Sequence, residues 1–262
     1  MEIVSDNLQD IQDLAKKIAS GSEITTRPPT SPTIDLPGGF IAADGSVTRS
    51  ATVRELTGRD EEAIARGGNR AVMLNTVLAR GLEKLGYNDA TVADLDNLLA
   101  GDRDAILLGI RKMTFGSTVD GALNCPGCGT RQNVLIDLDE DIPTTELADP
   151  VNDRVFEVDL KAGKAVVTLP TGLVQKQLAD NVSKSAPEKM SIFLGGCLVS
   201  INDIPCTGAY TASTLGILDR ETLFAEITKR NPGPRLEAVV KACGACGADI
   251  SIPLSLADLF RI

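Results

Sequence analysis

The chain has 262 residues, of which 43% are apolar and 3% aromatic, and this composition predicts a globular protein with an aliphatic core. The net charge of −10 disfavours nucleic-acid binding, and the absence of His removes the commonest general base and every His-ligated metal site. The apolar runs fall short of the about 20 residues that a membrane-spanning helix needs, and the polar start of the chain predicts synthesis in the cytoplasm without a signal peptide.

The first part of the chain is predicted to be an arm on a tether. Residues 1–20 are predicted to form an amphipathic helix with an apolar stripe at Val4, Leu8, Ile11, Leu14, Ala15 and Ile18. Residues 21–39 are predicted to be an extended, stiff tether because of Pro28, Pro29, Pro32 and Pro37. A short helix alone in water is marginal, so we expect the arm to dock on a neighbouring subunit, with docking on its own core as the alternative.

Residues 40–116 are predicted to form a hairpin followed by a helical subdomain. Asp44-Gly45 is a tight-turn signal between two strand-like segments. Two Thr-x-x-Asp sequences, starting at Thr57 and Thr91, resemble capping boxes that open helices, and a further helix is predicted to start at Asp102. One helical stripe between the two boxes is predicted to run through Leu74, Val77, Leu78, Leu82 and Leu85.

Residues 117–262 are predicted to mix strands and helices. Apolar alternation predicts strands over 119–123, 134–138, 154–160, 164–170 and 197–203. Helical spacing predicts helices over 172–183, 187–194 and 213–229. The whole pattern predicts an α+β fold class, with a helical arm and subdomain followed by a mixed part.

Two Cys-x-x-Cys-Gly hooks lie 118 positions apart in this mixed part, each between strand-like residues. A tight turn can aim both sulfurs of one hook at a single point, and the following Gly permits the positive φ that such a turn often needs. Two facing hooks supply the four thiolates of a closed structural site, so we expect one Zn²⁺ in a two-knuckle zinc ribbon. The predicted ligands are Cys125, Cys128, Cys243 and Cys246.

Other interpretations of the cysteines stay open. The hooks could be redox dithiols, could lack metal, or could share a zinc between two chains, although a redox pair needs no second copy. Cys197 and Cys206 lack hook spacing and are predicted to be buried small residues, with a hairpin disulfide as the alternative. No catalytic residue is predicted, because no carboxylate, thiol or lysine cluster has a recognisable partner.

Five segments follow one another in the order seen in a family of contractile-tail proteins. They are "LPGGFIAADGSVTRSATVRELTGRDEEAI", "GDRDAILLGIRKMTFG", "LNCPGCGTRQNVLIDL", "VTLPTG" and "CGACGADISIPLSLADLF". Through these segments, residues 36–262 resemble the T-even phage baseplate hub protein family, which is found in myoviruses and in phage-derived contractile injection systems. The predicted N-terminal helix lies outside the resemblance.

The resemblance implies a structural, non-enzymatic role in the baseplate or hub of a contractile tail. It implies other baseplate, hub and tail proteins as partners and the virion tail as the location. Two alternatives stay open: a transient cytoplasmic assembly factor that leaves before maturation, and a zinc-ribbon adaptor that binds nucleic acid. Retention in purified particles separates the first two, and salt-dependent DNA binding would support the adaptor.

Overall fold

The computed structural model describes residues 32–252 and 254–260 of the chain. The predicted N-terminal helix and the tether up to residue 31 lie outside the described residues. The described strands pair in antiparallel ladders, and helices are interspersed between them, which confirms the predicted α+β class. No helix in this part of the chain has the length and apolar character needed to cross a membrane.

The first half is a four-stranded sheet, in the order β1-β2-β3-β4, packed against helices. Its elements in chain order are β1 (Thr33–Ile41), β2 (Val47–Val53), α1 (Gly58–Ala65), α2 (Arg70–Gly81), β3 (Leu82–Leu85), β4 (Asn88–Asp89), α3 (Val92–Asn97) and α4 (Ala100–Phe115). The core between sheet and helices is largely aliphatic and includes Leu36, Val53, Ile64, Val77, Leu78, Ile106 and Ile110. This composition agrees with the scarcity of aromatic residues in the chain.

Several local predictions for this half are confirmed. The β1–β2 hairpin turns at Asp44-Gly45, and both capping boxes are present at the helix starts after Thr57 and Thr91. Helix α4 begins at Ala100, two residues before the expected start. The Ala100 N–H donates to the Pro170 carbonyl at 2.8 Å, so a contact far along the chain holds the first turn of this helix.

Strand β1 begins earlier than the sequence suggests, at Thr33, so residues 33–39 belong to the sheet and not to the tether. Leu36 is 1% exposed and lies in the core of the first half. The β1–β2 register is interrupted between Asp35 and Phe40, in the segment that contains Pro37. Because proline has no N–H to donate to a ladder, it is accommodated in a strand at such an irregularity.

The predicted helical stripe is wrong at its end. Helix α2 stops at Gly81, and Leu82–Leu85 form strand β3. Leu82 and Leu85 are buried as expected, but they are buried through pairing with β2, with Leu82 opposite Val53. Apolar residues three positions apart fit a helix as well as a short irregular strand, so the neighbouring strand decides between them.

The second half contains two hairpins that carry the hooks and a four-stranded sheet in the order β11-β10-β9-β8. Its strands are β5 (Thr118–Asn124), β6 (Arg131–Asp137), β7 (Thr144–Thr145), β8 (Val155–Leu160), β9 (Gly163–Thr168), β10 (Leu198–Ile201), β11 (Ile204–Pro205), β12 (Gly233–Pro234), β13 (Val240–Ala242) and β14 (Asp249–Ser251). Its helices are α5 (Gly172–Asp180), α6 (Ala186–Cys197), α7 (Gly208–Thr214), α8 (Ile217–Arg230) and α9 (Leu256–Leu259). A second core lies beneath the sheet and includes Val158, Ala165, Val167, Leu194, Leu198, Leu223 and Ile227.

One predicted helix and the two remaining cysteines of this half can be compared with the structure. The single helix predicted over 213–229 is in fact two helices, α7 and α8, which are separated by the extended backbone of Leu215 and Gly216. Cys197 is fully buried in the second core, as predicted, whereas Cys206 is half-buried at its edge. Both thiols are free, so the alternative of a hairpin disulfide is wrong for this structure.

Helix α4 joins the two halves through buried charged side chains. The Gly38 N–H in β1 donates to the Asp102 carboxylate at 2.7 Å. The Arg103 guanidinium donates to Gln175 in α5 and to the Leu95 carbonyl, both at 2.6 Å. Buried charges are tolerated when hydrogen bonds compensate for the lost water, and here those bonds connect elements from both halves.

The hook hairpins rest on a third apolar cluster beside α4. Its buried members come from α4, β6, the loop that follows β6, both flanks of β13–β14, and α9: Leu108, Ile136, Leu138, Ile142, Val239, Ile252 and Leu259. Arg111 in α4 donates to the Leu259 carbonyl at 2.8 Å and to the Gly116 carbonyl at 2.7 Å. Helix α4 therefore anchors the bases of both hairpins.

Candidate metal centre

The first hook closes the β5–β6 hairpin. Asn124 pairs with Arg131 as the last rung of the ladder. Beyond it, the Cys125 N–H donates to the Thr130 carbonyl at 3.0 Å, and the Gly129 N–H donates back to the Cys125 carbonyl at 2.9 Å. Gly129 has φ +73°, a conformation that a residue with a Cβ rarely adopts, so the Gly after the second Cys is required by the turn.

The second hook closes the β13–β14 hairpin with the same geometry. Its last rung pairs Ala242 with Asp249. The Cys243 N–H donates to the Ala248 carbonyl and the Gly247 N–H donates to the Cys243 carbonyl, both at 2.8 Å, and Gly247 has φ +73°. The 118-position repeat in the sequence is therefore a repeat of turn geometry.

The fold brings the two hooks face to face. The four sulfurs lie within 4.8 Å of one another, with Cys125 Sγ 3.6 Å from Cys246 Sγ and Cys128 Sγ 3.8 Å from Cys243 Sγ. Four sulfurs at the usual Zn–S bond length of about 2.3 Å in a tetrahedron lie about 3.8 Å apart. A disulfide would require about 2.05 Å, so the cluster has the dimensions of a metal site.

The hooks also provide partners that favour the thiolate form. The Gly127 N–H donates to Cys125 Sγ at 3.3 Å. The hydroxyl and the backbone of Thr130 lower the pKa of Cys128 to about 6. Backbone N–H groups at Ala245 and at the following residue hold the pKa of Cys243 below its usual value. Polar groups that donate to sulfur stabilise the charged form, which is the form that binds metal.

The fourth sulfur shows why a cation fits at the centre. The backbone at Ala248 lowers the pKa of Cys246, but the neighbouring sulfurs of Cys128, Cys125 and Cys243 outweigh it and raise the pKa to about 12. Hydrogen bonds to the neighbouring sulfurs favour the protonated thiol of Cys246 over its thiolate, so a site of four thiolates needs a positive charge among them. A divalent cation supplies that charge and takes one bond from each sulfur.

Packing and one ion pair hold the two hooks in register. Cys125 and Cys243 are 2% and 3% exposed and pack on Ile250. Lys241, two residues before the second hook, forms an ion pair at 2.5 Å with Asp141, in the acidic run that follows β6. That acidic run therefore contacts the second hairpin, and the pair adds to the apolar contacts below the hooks.

The arrangement could hold a metal ion with a closed set of ligands. All four positions of a tetrahedral ion would be taken by thiolates, whereas a catalytic zinc keeps one position open for water or substrate. The sequence predicts all four residues that meet here. It does not predict that Asp102, Arg103 and Arg111 of α4 are buried. The pattern that could have indicated their burial is the presence of charged residues on a helix that is apolar on several faces.

Comparison with known proteins assigns the family. The family model described as T4 bacteriophage base plate protein matches residues 48–205, which is more than half of the chain. The match contains the first hook, and the second hook lies beyond it. No curated protein and no solved structure matches the chain significantly. Because the family match covers most of both halves of the fold, the chain belongs to the T4 bacteriophage base plate protein family.

Proposed function

We propose that the chain is a structural, non-enzymatic component of the baseplate or hub of a contractile tail, stabilised by one Zn²⁺ bound to Cys125, Cys128, Cys243 and Cys246. The family match over residues 48–205 carries the assignment to the baseplate. The family also implies association with other phage tail proteins and a location in the virion tail. The specific neighbours, the zinc and the absence of catalysis are parts of the proposal.

The choice of zinc follows from the ligand chemistry. Four thiolates in a tetrahedron suit Zn²⁺ or an iron–sulfur centre among the common biological metals, and oxygen-seeking ions such as Mg²⁺ and Ca²⁺ are disfavoured. Sulfur separations of 3.6 and 3.8 Å suit a single ion at the centre. The proposed role of the ion is to join the β5–β6 and β13–β14 hairpins, which form two separate two-stranded sheets.

The proposed lack of catalysis rests on the closed ligand set and on the absence of His from the sequence. A closed set of four thiolates supports folding and gives no access to substrate. The acidic net charge of −10 supports protein partners over nucleic acid. The N-terminal arm is proposed to dock on a neighbouring subunit of the baseplate, and no contact with a membrane is expected.

Analysis of purified particles tests this proposal. Mass spectrometry of intact phage or injection-system particles is expected to find the chain in a constant ratio to other baseplate proteins. Its presence only in unassembled cell extract would replace the proposal with a transient assembly factor. Elemental analysis of the purified chain is expected to find one zinc per chain, and two metals, no metal, or iron would contradict the proposed site.

A further inference from the structure

The acidic run at the end of β6 covers residues 137–142 and folds back on itself. The Asp141 N–H donates to the Asp137 carbonyl at 2.9 Å, and the Asp137 N–H donates to the Asp141 carboxylate at 2.7 Å. The Leu138 N–H donates to the Ser117 carbonyl at 2.8 Å, next to the first residue of β5. These bonds fix the Asp141 carboxylate at the base of the β5–β6 hairpin, at the end away from the first hook.

The β13–β14 hairpin, which carries the second hook, is the shorter of the two. Its ladder has three residue pairs, whereas the β5–β6 ladder has seven. A two-stranded hairpin is at best marginally stable in water, so a short one depends on contacts outside its own ladder. Lys241 lies directly opposite Ile250, so the two side chains share a face. Ile250 packs with Cys125 and Cys243, so that face is turned toward the first hook.

Lys241 and Asp141 connect the two hairpins on this face. The Lys241 ammonium lies 2.5 Å from the Asp141 carboxylate, and the two side chains are 30% and 19% exposed. The hairpins form separate two-stranded sheets, so no ladder joins them. Side chains two positions apart on a strand point to the same side, and Cys243 follows Lys241 by two positions. A contact that holds Lys241 therefore also restricts the direction in which Cys243 points.

This ion pair spans the same two hairpins that a metal ion would join. A metal binds all four sulfurs only while the hooks face each other, and its apparent affinity is reduced when that arrangement is only partly populated. A contact that stabilises the facing arrangement therefore strengthens metal binding and slows metal release. Because the pair is partly exposed, water screens it and its contribution is modest.

We propose that Asp141 and Lys241 are positioning residues of the metal centre, whose ion pair holds the second hook against the first and thereby sets the affinity of the four sulfurs for metal. The inference rests on the proposed function, because it names the residues that tune the proposed zinc site. It gives the acidic run a role that its sequence alone does not indicate.

Competition with a zinc chelator tests this proposal in the reduced full-length chain. Asp141→Asn and Lys241→Met are each expected to weaken zinc binding roughly three- to fivefold and to speed zinc transfer to the chelator. The double variant is expected to lose no more than either single variant, because both remove the same contact. Lys241→Met leaves the bond between Asp137 and Asp141 intact. A loss seen only with Asp141→Asn would assign the effect to the loop and overturn the proposal.

Asp139→Asn is the matched control. Asp139 belongs to the same acidic run and forms an ion pair at 2.7 Å with Lys112 of α4, so its substitution removes the same charge without affecting a contact to the second hairpin. Its zinc affinity is expected to stay within about twofold of that of the unaltered chain. Equal weakening by Asp139→Asn, or tighter binding by Asp141→Asn, would overturn the proposal, since local charge alone would then explain the affinity. The proposed function is judged separately: an unaltered chain that binds no zinc contradicts it before any variant is compared.

Discussion

Replacing Cys125 by Ser is expected to abolish metal binding and to lower the free energy of unfolding by about 3–5 kcal/mol. Cys125 is 2% exposed and is the inner residue of the first hook, so no other side chain can take its place at the centre. The variant keeps a side chain of similar size. Its effect on stability therefore reports chiefly on the lost cross-link.

The magnitude follows from the length of chain that the metal would close. The two short sulfur pairs join residues 115 and 121 positions apart. In the chain-entropy treatment of a cross-link, a loop of this length contributes about 5 kcal/mol. Metal that also binds the hooks of the unfolded chain reduces this value. Since domains are stable by only about 5–15 kcal/mol, the expected loss is a large share of the total.

Urea unfolding, followed by circular dichroism, and elemental analysis of the same samples measure both effects. The matched control is Cys206→Ser, a half-buried free thiol outside the hooks, which is expected to keep one metal per chain and to change stability by less than about 1 kcal/mol. If Cys125→Ser retained one metal per chain, the four-thiolate site would be refuted. If it lost the metal and unfolded like the unaltered chain, the apolar cluster beneath the hooks would be holding the hairpins without help from the metal.

Three further predictions concern the rest of the chain. Gly101→Ala is expected to lower the free energy of unfolding by about 3 kcal/mol, because a Cβ at this position would lie 1.5 Å from the Pro232 carbonyl oxygen. A Cβ at Gly58 would meet nothing within 4 Å, so Gly58→Ala is the control and is expected to be neutral or stabilising. Thermal unfolding compares the two variants. Burial raises the pKa of Asp102 from 3.8 to about 6, so this carboxyl favours folding most at low pH and its contribution is lost as pH rises through that window. Urea unfolding at several pH values is therefore expected to show Asp102→Asn gaining stability over the unaltered chain as pH rises, and a difference that does not vary with pH would contradict this. Deleting residues 1–31 is expected to leave metal content and core melting nearly unchanged but to impair incorporation into tails, and a core that melts many degrees lower would place the arm on its own core.

Features that depend on a few adjacent residues can be predicted from the sequence alone. The turn at Asp44-Gly45, the capping boxes at Thr57 and Thr91, and the conformation of both hooks follow from side chains within a few positions of one another. The 118-position repeat also predicts all four cysteines of the cluster without knowledge of any contact between them. Such signals are readable because local hydrogen bonds and allowed backbone angles do not require a distant partner.

Features whose partners lie far along the chain depend on the folded structure and are not predicted from local sequence. Leu82–Leu85 is a strand because β2 lies beside it, and residues 33–39 join the sheet although Pro37 is among them. Asp102 and Arg103 are buried because Gly38 in β1 and Gln175 in α5 supply their hydrogen bonds. In each case the local sequence permits more than one conformation. The free energy that selects among them comes from burial and pairing with residues tens of positions away, and those contacts exist only once the chain has folded.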